Sequence, residues 1–186
     1  MNLHRRWFFV HARSIAATDD STKGLSGTRQ TGTTRHISNH ICRMKKVSGK
    51  HPGTIRARGE FVPVEIGAAR IGFAICTELW AMEQARLYGK AGVHIIATPR
   101  ATTKATVDKW LAGGRVAAIV SGAFSLSSNL TSSEGRPADF GGQGWIVGPD
   151  GQVMGVTSRE RPFVKVEIDL NEAEYAKKTF PRYALP

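Results

Sequence analysis

The stretch Ala69-Arg70-Ile71-Gly72-Phe73-Ala74-Ile75-Cys76-Thr77-Glu78-Leu79-Trp80 decides the fold. Arg70 to Ile75 is apolar and β-favouring, the pattern of a strand buried on both faces. Thr77 is a helix-capping residue type, and beyond it Trp80, Leu87, Tyr88 and Ala91 recur at the spacing of one helical face. Cys76 therefore falls at a strand-to-helix turn, with Glu78 just after it. The first N–H groups of a helix are unpaired and its dipole favours an anion there. Such a turn can stabilise a thiolate, and the same N–H groups can hold an oxyanion. The alternative is that Cys76 is a small apolar core residue, the usual state of a buried cysteine. Local context leaves both open.

Working outward, Gly92 ends the helix and residues 93–98 read as a second buried strand, closed by Pro99. Residues 100–106 form a polar loop at the strand's C-terminal end, where sites in α/β proteins form. Trp110, Leu111, Gly114, Ala117, Ala118 and Ser121 then share a helical face, and residues 123–130 read as the next strand. Pro149-Asp150-Gly151 has the chemistry of a tight turn inside a hairpin, and residues 163–170 alternate as a strand. Upstream, residues 61–66 alternate as an edge-like strand, with Pro63 arguing against a central place, and Gly67-Ala68-Ala69 turns it into the Cys76 strand as a hairpin. Strands alternating with helices, plus hairpins, imply a layered α/β domain.

The chain has 186 residues, enough for one domain with a proper core, and an ordinary 41% apolar and 22% charged composition. No apolar run is long enough to span a membrane. Two cysteines without a disulfide pattern point to a reducing, cytoplasmic setting, with Cys42 an incidental thiol. The Cys/His spacing shows no zinc pattern. The net charge of +11 is unevenly placed: residues 1–60 carry 12 Lys/Arg against 3 Asp/Glu, a net of +9, and residues 61–186 carry 14 against 12, a net of +2. That is not the uniform basic face of a nucleic-acid binder. Residues 1–39 show no persistent helical or strand period around the island Trp7-Phe8-Phe9-Val10, and read as a poorly ordered segment. A transit peptide, a basic arm touching nucleic acid and a disrupted gene product are the other readings of that segment.

The run Ile75-Cys76-Thr77-Glu78-Leu79-Trp80-Ala81-Met82-Glu83-Gln84-Ala85-Arg86 resembles the nucleophile motif of the nitrilase superfamily of carbon–nitrogen hydrolases, I-C-x-D/E-x-x-x-P-E-x-x-R, with Met82 in place of the proline. Downstream segments follow in the family's order. Gly92 to Pro99 resembles its G-A-D/E-I/L-I/L-x-x-P strand, with His94 at the usual acidic place. Trp110 and Arg115 resemble its W-x-x-x-x-x-R-A-x-E-N helix, with Ala118 for the Glu. Phe140 to Met154 resembles its F-x-G-x-S-x-I-V/I-x-P-D-G hairpin, with Gly144 for the serine. Arg43-Met44-Lys45-Lys46-Val47 resembles the strand end that carries the family's lysine, which aligns with Lys46; Ser48-Gly49 replaces the usual His-Leu, and a solvated basic loop is the other reading.

The resemblance implies an α-β-β-α sandwich, incomplete on its N-terminal side, in which residues 41–186 form a partial hydrolase domain and residues 1–40 a disordered or unrelated segment. It implies Cys76 as nucleophile, Lys46 as oxyanion stabiliser, and Thr77, Glu78, Arg100 and Ala101 as residues lining the substrate pocket. The substrate would be a small amide or nitrile opened through a thioester, with no metal and no cofactor, in a homo-oligomer. Amidase, nitrilase, carbamoylase and acyl-transfer readings stay open. The family's general-base glutamate has no counterpart: the only acids before Lys46 are Asp19 and Asp20, and Glu60 falls at a turn position. A nucleophile without its base loses several orders of magnitude in rate. An inactive remnant is therefore the second expectation, and a basic nucleic-acid or membrane-surface binder the third.

Overall fold

A computed structural model describes residues 61–132 and 139–184, together with the backbone of two strands in 5–18. Strands β1 (Arg5–His11) and β2 (Ser14–Thr18) precede the described part of the domain. There follow β3 (Val64–Ile66), β4 (Ala69–Phe73), helix α1 (Met82–Lys90), β5 (Ile95–Arg100), helix α2 (Val107–Ser121) and β6 (Phe124–Asn129). The hairpin β7 (Trp145–Val147) and β8 (Val153–Val156), strand β9 (Phe163–Asp169) and helix α3 (Leu170–Ala176) complete the chain.

Strands β3 to β8 form one six-stranded sheet in chain order. Its β4, β5 and β6 are parallel, joined through α1 and α2, and β3, β7 and β8 are antiparallel additions at the two sides. A second sheet has the order β2-β1-β9 and lies across the first. The strand period of two separates two cores. Ile71, Phe73, Ile95, Ala97, Phe124 and Leu126 point from one face of the large sheet toward Ile168 and Leu170. The opposite face meets α1 and α2 through Ala74, Ile96, Tyr88, Ala117, Trp145 and Val147. The helices approach closely because glycine lets them: a Cβ on Gly114 would lie 2.6 Å from the Trp145 indole, and one on Gly72 would lie 2.8 Å from the Tyr88 ring. Gly122 ends α2 in a left-handed conformation with its N–H donating to Ala118.

Three sequence expectations are corrected here. The segment before residue 40 is not without strands: β1 pairs along its whole length with β9, and such long-range pairing leaves no trace in local periodicity. The helix after Cys76 is not one element starting at Thr77. Cys76–Trp80 is a 3-10 turn, α1 starts separately at Met82, and neither is capped by the side chain of its N-cap residue, Ile75 or Ala81. Strand β5 does not stop before Pro99 but runs to Arg100, because the position of the missing N–H faces beyond the end of β4.

At the far end of the sheet from Cys76, His94 joins three elements. It exchanges hydrogen bonds with Arg70: its backbone N–H donates to the Arg70 carbonyl at 2.8 Å, and the Arg70 N–H donates to its side-chain Nδ1 at 2.9 Å. Its Nε2 lies 3.0 Å from a Glu174 oxygen that Lys177 also contacts at 3.1 Å. An Nδ1 that accepts a backbone N–H cannot carry a proton. Burial, and then the Lys177 charge, hold the imidazole below its ordinary pKa, against the pull of Glu174. Its folded-state pKa is thus below the unfolded one, so the native state binds fewer protons. The contribution is complete above about pH 6.5 and is lost as pH falls below it. We expect unfolding free energy in urea to drop between pH 7.5 and 5.5, and to drop less in His94→Asn, whose amide oxygen can take over the Nδ1 bond without titrating.

Candidate active site

The parallel strands β4, β5 and β6 end side by side, and the polar residues gather there. Phe73 pairs with Ala97, and the Ala74 N–H donates to the Ala97 carbonyl at 3.1 Å. Just beyond the end of β4, the Cys76–Trp80 turn packs against β5, whose last residue, Arg100, pairs with Asn129 of β6. The topology therefore gathers the Cys76 turn, Arg100 and Asn129 at the C-terminal ends of the three parallel strands.

Cys76 is half-buried and has a φ of +53°, the only positive φ at a non-glycine position among the described residues. A side chain in left-handed backbone costs roughly 1–2 kcal/mol and persists only where its surroundings hold it. Glu78 does so. It is 6% exposed, and its Oε2 accepts the Ile75 N–H at 2.7 Å, while its own N–H donates back to the Ile75 carbonyl at 3.2 Å. Beneath the turn, the Tyr88 hydroxyl donates to the Phe73 carbonyl at 2.8 Å and lies 3.2 Å from the Phe73 N–H. The end of β4 is thus fixed from both sides.

Arg100 is 7% exposed, an unusual burial for a cation. Its Nε donates to Ser127 Oγ at 3.0 Å, one Nη to Thr102 Oγ1 and the other to the Gln143 carbonyl. Its guanidinium carbon stands 4.4 Å from the Trp145 ring centre and 5.6 Å from that of Trp110. Asn129 braces the same corner, accepting the Thr102 N–H at 2.9 Å and donating to the Thr102 carbonyl at 3.2 Å. Burial pushes the Arg100 pKa down to about 10, with the charge of Cys76 acting in the opposite direction. Thr98, on the same face of β5, keeps a fully buried hydroxyl with no hydrogen-bond partner among the described residues.

Of the residues singled out from sequence, Cys76, Thr77, Glu78 and Arg100 are brought to one corner. Thr77 is half-buried within the 3-10 turn, and Ala101 is exposed just beyond β5. Lys46 lies outside the described residues, as do Asp19, Asp20 and Glu60. Sequence reading missed Thr102, Ser127, Asn129 and Trp145 as the setting of Arg100. The signal was there in β6, where Ser125, Ser127 and Asn129 put a polar group at every second place of a fully buried strand. Among the described residues no group of three His, Cys, Asp or Glu is placed to hold a metal ion. No described helix is long and apolar enough to cross a membrane.

Residues 24–178 match the carbon-nitrogen hydrolase family. The chain belongs to that family. It is 26% identical over 140 residues to Nitrilase homolog 2 of Dictyostelium discoideum, covering 75% of this chain and 43% of that protein. It is also 26% identical over 119 residues to a chloroplastic omega-amidase of Arabidopsis thaliana, covering 63% of this chain and 32% of that one. Among solved structures, a carbon-nitrogen hydrolase from Helicobacter pylori superimposes with a TM-score of 0.62 at 23% identity, over 73% of this chain and 51% of that one. The carbon–nitrogen hydrolase chain thus has the nitrilase-type α/β sandwich, and it spans less than half the length of the two named relatives.

Proposed function

We propose that this chain carries the acyl-accepting half of a carbon–nitrogen hydrolase site, opening a small amide or nitrile through Cys76. One observation supports this above the others: Cys76 is held in left-handed backbone just beyond the C-terminal end of β4, in a turn that packs against β5, the strand of the buried Arg100. For an amide, the sulfur attacks the carbonyl carbon, the C–N bond breaks, and the thiol proton leaves on the amine. The resulting thioester is then opened by water to a carboxylic acid. Thr77, Glu78, Arg100 and Ala101 line the acyl pocket in this reading, and Lys46 stabilises the oxyanion. A homo-oligomer in the cytoplasm belongs to the same proposal.

A second reading, a chain that retains the turn but does not turn over, is favoured by one observation. Glu78, the carboxylate brought to the turn, is directed back onto the Ile75 N–H rather than left free as a base. Mass spectrometry after incubation with a panel of small amides and nitriles separates the two. We expect an acyl adduct on Cys76 that clears with time and is abolished in Cys76→Ala. An adduct that forms and does not clear, or no adduct on a chain shown by circular dichroism to be folded, would establish the second reading.

A further inference from the structure

We propose that His94 is an acid-released latch, whose protonation loosens helix α3 from the N-terminal ends of β4 and β5 while the rest of the sandwich stays folded. The ring is held between two partners. Its Nδ1 accepts the Arg70 N–H at 2.9 Å, and its Nε2 lies 3.0 Å from a Glu174 oxygen on α3. With Nδ1 engaged as an acceptor, the single proton of the neutral ring sits on Nε2 and is donated to the Glu174 carboxylate. A second proton can go only to Nδ1, where it meets the Arg70 N–H, donor against donor. The Arg70 bond is then lost, and a ring that turns to relieve the clash moves off Glu174. The His94 side chain is only 16% exposed, so water is a poor substitute for either partner.

Helix α3 is poorly equipped to absorb that loss. It is seven residues long and buries Leu170, Ala173 and Ala176, and two alanines bring little apolar area. A contact made through Glu174 is therefore a large share of what holds it. The charges around the ring also resist a further one. From α3, Lys177 shares Glu174 at 3.1 Å, and Lys178 adds positive charge beside it. From β4 comes Arg70, whose guanidinium is tied to Glu65 of β3 at 2.7 Å and to the Ala91 carbonyl after α1 at 2.6 Å. From β6 comes the uncharged Phe124 N–H, donating to the His94 carbonyl at 2.9 Å. Both carboxylates are thus already engaged by cations, and an imidazolium gains none of its own among the described residues. Glu174 is not the source of an effect above pH 5: burial raises its pKa, but Lys177 and His94 bring it below the ordinary carboxylate value. Beyond α3, Arg182 forms an anchor independent of His94, donating to the Ala176 carbonyl at 2.6 Å and the Ile119 carbonyl at 2.9 Å.

Hydrogen exchange of the full chain, read by peptide mass spectrometry and corrected for the intrinsic pH dependence of exchange, tests the latch. Between pH 7.5 and 5.0 the protection of residues 170–176 should fall about fivefold or more, while that of residues 82–90 in α1 holds. In His94→Asn, which keeps an acceptor for the Arg70 N–H and does not titrate, protection of 170–176 should be the same at both pH values. In Glu174→Gln the imidazolium loses its attraction, so the fall should begin at lower pH than in the wild type. Constant protection of 170–176 in the wild type would overturn the proposal, and so would an equal fall in α1, which is global unfolding; neither result depends on a variant that folds. A fall of the same size in folded His94→Asn, or one at unchanged pH in folded Glu174→Gln, would also overturn it by assigning the effect to another group.

Discussion

Trp145→Ala is expected to lose about 3–5 kcal/mol of stability, the usual range for emptying a fully buried tryptophan site. The residue is completely buried, lies against the backbone of α2 at Gly114, and donates from Nε1 to Ser125 Oγ at 3.1 Å. It is also the nearer of the two indoles under the Arg100 guanidinium. Truncation therefore opens a cavity between sheet and helix, orphans the Ser125 hydroxyl and removes one wall of a buried cation. A domain of ordinary stability has about 5–15 kcal/mol in hand, so the variant should be close to its unfolding threshold. Urea unfolding is the measurement. Trp145→Phe should recover most of the loss, because it restores apolar volume while leaving Ser125 unpaired. A midpoint for Trp145→Ala within error of the wild type would mean that the α2 contact is not part of the folded core.

Glu78→Ala should cost about 1.5–3 kcal/mol, the range for a hydrogen bond to a charged group, and should slow acylation of Cys76 about tenfold or more. The carboxylate is the acceptor that fixes the Ile75 N–H immediately before the left-handed residue. Without it, the turn loses the contact that over-determines an unfavourable backbone conformation. Glu78→Gln supplies the decisive contrast. A glutamine carbonyl still accepts the Ile75 N–H, so it should retain most of the stability and most of the acylation. If Gln were as slow as Ala while remaining as stable as wild type, the charge of Glu78 would be taking part in the chemistry, and its role would change from holding the turn to moving a proton.

The order of strands and helices from residue 61 onward was legible because each element announces itself locally. Arg70 to Ile75 has the unbroken apolar run of a doubly buried strand, and the Trp110 helix has its stripe of small residues. The place of Cys76 was legible for the same reason, since a strand period gives way to a helical one there. What escaped was everything that depends on partners distant in sequence. The pairing of Arg5–His11 with Phe163–Asp169 joins segments more than a hundred residues apart. The burial of Arg100 could not be read from a stretch as polar as Arg100-Ala101-Thr102-Thr103-Lys104, because it is Ser127, Gln143 and Trp145 that enclose it. The left-handed φ at Cys76 was hidden too, as nothing in its neighbours demands glycine or asparagine there.

That backbone angle sets the protein's two requirements against each other. Glycine adopts a positive φ at no steric cost, so thermal hardening of this chain by directed selection would favour replacing Cys76 with the one residue that carries no thiol. Screens that reward heat resistance alone would therefore be expected to remove the Cys76 thiol first, and a useful engineering campaign must score heat resistance and thiol chemistry together.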